Sequence, residues 1–182
     1  IGLNMAIGAT IIKARLQLAN MDTHLYQDFN LTLAQHPSEN EQRLMIRLLA
    51  FALNASDSLA FSKGLCADDE PELWSKSLSD EIELWIELGT PDEKRLKKAC
   101  SRSQRVILYT YGGGTADVWW KQNQKQASKL SKLSVFNLDI EQTQALAKMC
   151  QKGMDIQISI QDGEVLVSSE LGSVELTPLK LQ

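Results

Sequence analysis

The stretch "IELWIELGTPDEKRLKKAC", residues 82–100, decides the fold expected for this chain. Apolar and polar side chains alternate up to residue 88, which is the pattern of a β-strand with two different faces. The Gly-Thr-Pro that follows breaks the strand, and Thr90, Pro91 and Glu93 carry the signals of a helix start. The stretch therefore predicts a strand over 81–88 that leads into a basic helix ending near Arg102.

Strands and helices alternate on both sides of this stretch. Strands are predicted over residues 7–18, 27–34, 59–66, 105–111 and 132–138. Helices are predicted from a capping box at Ser38 and Glu41 to about residue 54, then over 115–130 and 139–151, and residues 68–74 are expected to form a turn or a short helix. The pattern predicts an α/β fold with a mixed central sheet flanked by helices, as one domain over residues 1–182.

The tail of the sequence predicts a β-hairpin at the C-terminal end of the fold. Two alternating runs, 154–160 and 164–169, are separated by a stretch that ends in Asp162-Gly163. Asp-Gly between two such runs is a strong signal for a tight hairpin turn, because both positions accept a positive φ.

The composition limits the classes of protein. The net charge of −4 speaks mildly against nucleic acid, but residues 91–132 hold ten basic and three acidic side chains. No apolar run approaches the ~20 residues of a membrane span, so no membrane association is expected. Cys66, Cys100 and Cys150 are scattered, which argues against a disulfide framework and predicts a cytoplasmic protein.

The predicted strand at 81–88 carries acids on one face. Glu83 and Glu87 share that face with Glu81 and Trp85, and a solvated outer face would explain them. A central strand would instead bury Glu87, which then needs a cation or hydrogen bonds. Glu83 and Glu87 are ~13 Å apart along a strand, so a metal at Glu87 needs an acid from another element. The candidates for that acid are Asp68, Asp69, Glu70 and Glu39.

Basic side chains follow directly. Arg95 and Lys98 are neighbours on the predicted helix, and a lysine beside a metal-bound carboxylate can stabilise developing charge on a phosphate. A solvated helix face explains the same lysines.

Two further rows of charge recur at helical spacing. Glu39, Arg43 and Arg47 form a row that either faces a site or makes a salt-bridged surface. A second row could follow a phosphate backbone, although a solvent-facing helix surface explains it equally; its members are Lys121, Lys125 and Lys129.

Several long segments resemble the YaeQ family. They are "HPSENEQRLMIRLLAFAL", "FSKGLCADDEPELW", "IELWIELGTPDEKRLKKAC", "VILYTYGGG" and "ISIQDGEVLVSS", together with the pair Trp119-Trp120, and they span nearly the whole chain. The resemblance implies a restriction-endonuclease-like fold of the PD-(D/E)XK group, in which a mixed central sheet is flanked by helices.

The resemblance also implies a metal site of the nuclease type. That group has an acid at the end of one strand and, on the next, an acid, any residue and a lysine. Glu87 matches the second acid, and Gly89 stands where the lysine is expected, so Lys98 is the substitute and Arg95 the second choice. The first acid best matches Asp69 or Glu70, with Glu83 as a competitor. Glu39 resembles the helix-borne acid of some relatives, and the implied cofactor is Mg²⁺ or Mn²⁺.

Two functions follow as hypotheses. The first is a metal-dependent nuclease that hydrolyses phosphodiester bonds of nucleic acid. The second is an inactive nuclease-like scaffold that binds nucleic acid or protein, in which Glu87 belongs to a structural ion-pair network with Arg95, Lys98 or Arg43.

Overall fold

Two mixed β-sheets and four α-helices make up the part of the chain that the computed structural model describes, residues 8–63 and 68–182. The strands are β1 (Thr10–Asn20), β2 (Leu25–Gln35), β3 (Leu59–Phe61), β4 (Leu73–Lys76), β5 (Ile82–Leu88), β6 (Ser103–Thr110), β7 (Leu133–Asn137), β8 (Gly153–Gln161), β9 (Glu164–Ser169), β10 (Gly172–Leu176) and β11 (Leu179–Lys180). The helices are α1 (Glu41–Leu53), α2 (Glu93–Arg102), α3 (Gly114–Ala127) and α4 (Ile140–Ala147).

The first sheet has the order β10-β9-β8-β1-β2. The long strand β1 pairs antiparallel with β2 and parallel with β8. Strands β8 and β9 form the predicted hairpin, and its turn residues Asp162 and Gly163 have φ values of 52° and 76°. The sequence signal is therefore confirmed, since a tight turn of this kind needs a positive φ at both positions.

The second sheet has the order β11-β7-β6-β5-β4-β3 and contains β5, the strand predicted within residues 82–100. Strands β5, β6 and β7 are parallel and are linked by α2 and α3, whereas β4 pairs antiparallel with β5. The prediction that β5 is a central strand is confirmed. The carboxyl ends of the three parallel strands meet at one edge of this sheet.

The apolar side chains form two cores. The larger core joins the inner face of the first sheet, helices α1 and α4, and one face of the second sheet. The smaller core lies between the other face of the second sheet and helices α2 and α3. The predicted arrangement of helices on both faces is therefore correct for the second sheet. The expectation of one central sheet is wrong, because β1, β2, β8, β9 and β10 form a separate sheet.

Local predictions fail at three places. The cap of α1 is Asn40 rather than Ser38, whose hydroxyl lies 2.6 Å from His36 Nδ1, and Asn40 accepts the amide of Arg43 at 2.9 Å. Asp92 rather than Thr90 caps α2. The expected turn over 68–74 runs into strand β4 at Leu73, because its apolar residues enter the core. The strand expected over 59–66 is β3, and residues 64–67, with Cys66, lie outside the described residues.

Candidate functional site

Strand β5 brings Glu87 into the protein interior at the carboxyl edge of the second sheet. Only 2% of Glu87 is exposed, because β4 and β6 flank its strand and Trp85 lies on the same face. Trp85 Nε1 donates to Glu87 Oε1 at 2.7 Å. The solvated-face explanation is therefore wrong for Glu87, which is a buried carboxylate with specific partners.

Helix α2 supplies the cation that faces Glu87. The Asp92 cap accepts the amide of Arg95 at 2.7 Å, and Arg95 Nε lies 2.9 and 3.0 Å from the two oxygens of Glu87. The remaining guanidinium nitrogens donate to the carbonyl oxygens of Asp68 and Glu70 at 2.9 and 2.8 Å. Arg95 therefore links the 68–70 segment to Glu87 through its backbone, not through the acids of that segment.

The environment raises the pKa of the Glu87 carboxyl above its usual value. Burial is the main cause, because it penalises the charged form more than the hydrogen bonds from Arg95 and Trp85 favour it. The negative charge of Glu72 adds to the rise. A buried acid with a raised pKa is a common feature of functional sites.

A second buried acid, Glu39, lies just before α1 and faces two arginines of that helix. Arg47 approaches both of its oxygens, with Nη2 at 2.6 Å from Oε1 and Nε at 3.0 Å from Oε2. Arg43 Nη1 donates to Glu39 Oε2 at 2.6 Å. Only 3% of Arg47 is exposed, so the row predicted from sequence is a buried network rather than a surface one.

Glu72 is the acid that the sequence reasoning missed. It directly precedes β4, is 4% exposed and forms an ion pair with Arg43. Its amide donates to the carbonyl of Ile86, next to Glu87, at 2.9 Å. Its Oε2 is buried and has no hydrogen-bond partner among the described residues. The available signal was an acid directly before the apolar start of a strand, in the segment "PELW".

Glu39, Glu72 and Glu87, which we call the carboxylate cluster, are matched by Arg43, Arg47 and Arg95. Burial by itself lowers the pKa of Arg43, but the charges and hydrogen bonds of Glu72 and Glu39 raise it above the ordinary value. Glu87 raises the pKa of Arg95 in the same way, against the opposing effect of burial. Three buried negative charges thus face three guanidinium groups.

Asp69 and Lys98 form an ion pair with each other at the surface. Lys98 lowers the pKa of Asp69 by its hydrogen bond and its charge, and 77% of the Asp69 side chain is exposed. Glu70 accepts the amide of Lys63 at 3.1 Å. The carboxylates of Asp69 and Glu70 therefore make contacts outside the carboxylate cluster.

The last two sets of predicted residues lie away from Glu87. Glu83 is four residues earlier on β5, half-buried and about 13 Å along the strand. Helix α3 begins near the site, where Trp119 Nε1 donates to the carbonyl of Pro91 at 3.0 Å, and then runs back toward the opposite edge of the sheet. Lys121 and Lys125 of α3 and Lys129 in the turn after it are exposed, and none of them contacts the carboxylate cluster in the described part of the chain.

Gly89 stands two residues after Glu87, at the position where the resemblance implied a lysine. Its φ is 92°, a region in which an L side chain is strained, and its amide donates to the carbonyl of Tyr109 at 2.9 Å. The strand therefore ends at Gly89 in a conformation that does not suit a lysine.

Other classes of site are not found in the described part of the chain. Within residues 8–63 and 68–182, no group of three or more His, Cys, Asp or Glu side chains is arranged to hold a metal ion. None of the helices in these ranges has both the length and the apolar character to cross a membrane.

Comparisons with known proteins agree over nearly the whole chain. The family model described as "YaeQ protein" matches residues 5–178. An uncharacterised YaeQ protein of Escherichia coli (strain K12) is 45% identical over 172 residues, which are 94% of this chain and 95% of the relative.

Two solved structures are similar in fold as well as in sequence. The crystal structure of the YaeQ protein from Xanthomonas axonopodis pv. citri matches with a TM-score of 0.93 and 47% identity, over 96% of this chain and 98% of that one. The YaeQ protein from Pseudomonas syringae matches with a TM-score of 0.92 and 34% identity, over 96% of both chains.

Proposed function

The chain belongs to the YaeQ family, and on that premise we propose that it is a metal-dependent nuclease with a variant PD-(D/E)XK site. The observation that carries the proposal is the proximity of two buried acids, Glu87 on β5 and Glu72 directly before the neighbouring β4, with one oxygen of Glu72 lacking a partner among residues 8–63 and 68–182. A buried carboxylate oxygen with no hydrogen bond is costly unless a water or an ion completes it.

The proposal includes a restriction-endonuclease-like fold for the second sheet. Support comes from an acid directly before β4, an acid near the end of the adjacent β5, and a following helix that carries basic side chains. In this assignment Glu72 takes the place of the first acid, for which Asp69 and Glu70 were the sequence candidates. Glu39 takes the place of the helix-borne acid.

Two carboxylates, Glu72 and Glu87, would be the ligands of a small divalent cation such as Mg²⁺ or Mn²⁺. Such ions prefer carboxylate oxygens, and the buried Glu72 Oε2 has no hydrogen-bond partner among the described residues. Glu87 Oε2 accepts one hydrogen bond, from Arg95, so a second lone pair remains for a metal. A bound ion would lower the pKa of a water molecule to generate the nucleophile.

The chain's own cations have separate roles in the proposal. Arg95 orients the Glu87 carboxylate through contacts to both of its oxygens. Lys98 lies one turn further along α2, and 41% of its side chain is exposed. We assign to Lys98, which also pairs with Asp69, the contact to a phosphate at this edge, where its charge would stabilise developing negative charge. The exposed lysines of α3 are proposed to contact the nucleic-acid backbone further away.

The charge balance of the site favours a second candidate, a scaffold that binds nucleic acid or protein without catalysis. Arg43, Arg47 and Arg95 neutralise the three acids without any metal. In this case the cluster stabilises the fold, because removing one partner of a buried ion pair leaves an uncompensated charge.

Metal titration separates the two candidates. Mg²⁺ and Mn²⁺ are titrated calorimetrically into the wild type, Glu87→Ala and Glu72→Gln, with the exposed Glu81→Gln as control. The same proteins are then incubated with single- and double-stranded DNA and RNA. If the protein is a nuclease, the wild type and Glu81→Gln should bind metal and cleave nucleic acid, and Glu87→Ala and Glu72→Gln should do neither.

The absence of both metal binding and cleavage would favour the scaffold. If titration detects no heat of metal binding and no nucleic acid is cleaved, the nuclease proposal is wrong. If the protein is a scaffold, Glu87→Gln should have a lower melting temperature than the wild type in metal-free buffer. An unchanged melting temperature, or a large metal-induced rise that the variant lacks, would contradict it.

We further propose that the protein is cytoplasmic. Cys100 and Cys150 are free thiols, as expected for a protein of a reducing compartment.

A further inference from the structure

Strand β2 is the edge of the first sheet. All eleven of its residues pair with β1 in one continuous register, from Leu25 opposite Asn20 to Gln35 opposite Thr10. On its other side, no strand pairs with it within residues 8–63 and 68–182. Backbone N–H and C=O groups along one side of a strand of eleven residues therefore have no strand partner in this part of the chain, and near the end of the strand the carbonyl of Ala34 accepts a hydrogen bond from Arg47 Nη2 at 3.0 Å.

This edge lacks the features that usually prevent strands of two molecules from pairing. Edge strands of monomers are commonly protected by proline, by lysine, by a bulge or by being short. Strand β2 contains no proline and no basic residue, its register with β1 has no bulge, and Asp28 is its single charged residue. The edge is therefore regular, long and nearly uncharged.

On the outer face of the same sheet, an exposed large apolar side chain lies near each end of β2. Tyr26 is 62% exposed, and Ile11 of β1 is 51% exposed. Ile11 lies opposite Ala34, so this apolar patch is separated from Tyr26 by the length of the strand. Neither side chain is covered by another part of its own sheet.

We propose that β2 pairs antiparallel with β2 of a second copy of this chain, around a two-fold axis through Asn30, and so joins two five-stranded sheets into one.

The register follows from the overlap of the two edges. An axis through Asn30 places Leu25 opposite the partner's Gln35 and thus pairs the whole strand. Residues that oppose each other in this register point to the same face of the joined sheet, because side chains alternate along each strand with a period of two residues. The half-buried Phe29 then lies opposite the partner's Leu31, and both are apolar.

The same register covers both exposed apolar side chains. Tyr26 lies opposite the partner's Ala34, whose small side chain leaves the partner's Ile11 within reach of the tyrosine ring. The two-fold axis repeats this contact at the other end of the strand. Tyr26 and Ile11 are far apart within one chain, but in the dimer each Tyr26 contacts the partner's Ile11.

The charges agree with this register. Asp28 lies opposite the partner's Thr32, and within each chain Lys13 Nζ donates to the Thr32 hydroxyl at 3.1 Å. Within its own chain, Asp28 Oδ2 accepts a hydrogen bond from Arg15 Nη2 at 3.2 Å. The register brings this carboxylate to the partner's Lys13 as a second cation, and no two like charges of β2 oppose each other. The contact also occurs twice because of the symmetry.

A cysteine on the proposed axis tests the register directly. Asn30→Cys brings two thiols together across the axis, so mild oxidation is expected to yield a covalent dimer. Gln27→Cys is the matched control, because Gln27 is exposed on the same strand but lies six residues from its symmetry mate, about 20 Å away. Equal cross-linking of the two variants, or none in either, would overturn the proposal.

Charge exchange tests the contact in solution by sedimentation. Lys13→Glu and Asp28→Lys are each expected to raise the Kd of the dimer about tenfold, and the double variant to restore it. Circular dichroism verifies that each variant is folded. A wild-type protein that sediments as a monomer, or a double variant no tighter than the single ones, would contradict the inference. Neither result depends on metal binding or cleavage, so the proposed nuclease is tested separately.

Discussion

At the scale of single residues, the site depends on Glu87. The carboxylate is buried because β5 has a strand on each side, and this burial raises its pKa. Arg95 compensates for that burial with contacts to both oxygens. Asp69 is the opposite case, an exposed acid whose pKa Lys98 lowers. The two acids should therefore respond to pH with opposite signs.

The variants Glu87→Gln and Asp69→Asn test these signs. The raised pKa of Glu87 makes the folded state bind more protons than the unfolded chain, so its contribution to stability falls as the pH rises through the acid range. Relative to the wild type, the stability of Glu87→Gln should increase as the pH rises above about 4. The lowered pKa of Asp69 acts in the opposite sense and at lower pH, so Asp69→Asn should lose stability relative to the wild type as the pH rises toward about 4.

Urea unfolding at a series of pH values measures both differences. If the stability differences of the two variants change with pH in the same direction, the environments inferred for these acids are wrong.

At the scale of elements, the helix starts decide where the charged side chains face. Helix α1 begins at Glu41 because Asn40 caps it, and this start directs Arg43 and Arg47 toward Glu39. Helix α2 begins at Glu93 because Asp92 caps it, and this start directs Arg95 toward Glu87. A cap displaced by two residues would rotate each helix's basic side chains by about 200° around the axis.

The cap of α1 gives the second prediction. Asn40→Ala removes the side-chain acceptor of the Arg43 amide and should lower the free energy of unfolding by about 1 kcal/mol. Ser38→Ala is the matched control, because Ser38 hydrogen-bonds to His36 and does not cap the helix. Chemical denaturation of both variants measures the difference, and an equal loss in the two would mean that the helix start is assigned to the wrong residue.

At the scale of the whole molecule, helix α1 lies in the core that joins the two sheets. Leu48 is 1% exposed in that core, together with Leu16 of the first sheet and Ile86 of the second. A shared core should make both sheets unfold together. This expectation agrees with the prediction of a single domain over residues 1–182.

The third prediction concerns that shared core. Leu48→Ala should destabilise the protein by about 2–5 kcal/mol through the cavity it leaves. The loss should appear equally in the hydrogen exchange of the most protected amides of β8 and β5, one strand from each sheet. Leu108→Ala, in the smaller core between the second sheet and its outer helices, is the comparison variant. If β8 keeps its protection while β5 loses it, the two sheets unfold as separate units.

Local sequence was sufficient for the features that depend on neighbouring residues. The alternation in β5, the basic helix after it, and the turn at Asp162-Gly163 follow from side-chain periodicity and backbone preference, and the structure confirms them. The burial of Glu87 was one of two alternatives that the sequence left open, and the central position of β5 in the sheet decided between them.

Only the tertiary structure decided which charges meet. Glu72 and Arg43 are 29 residues apart in the chain, and no local pattern relates them. The division of the strands into two sheets likewise depends on β1 pairing with β8, which lies about 140 residues later. Periodicity determines which face of an element is apolar, but the partner of each face is determined by packing between distant elements, and that packing brought three glutamates and three arginines together at one edge.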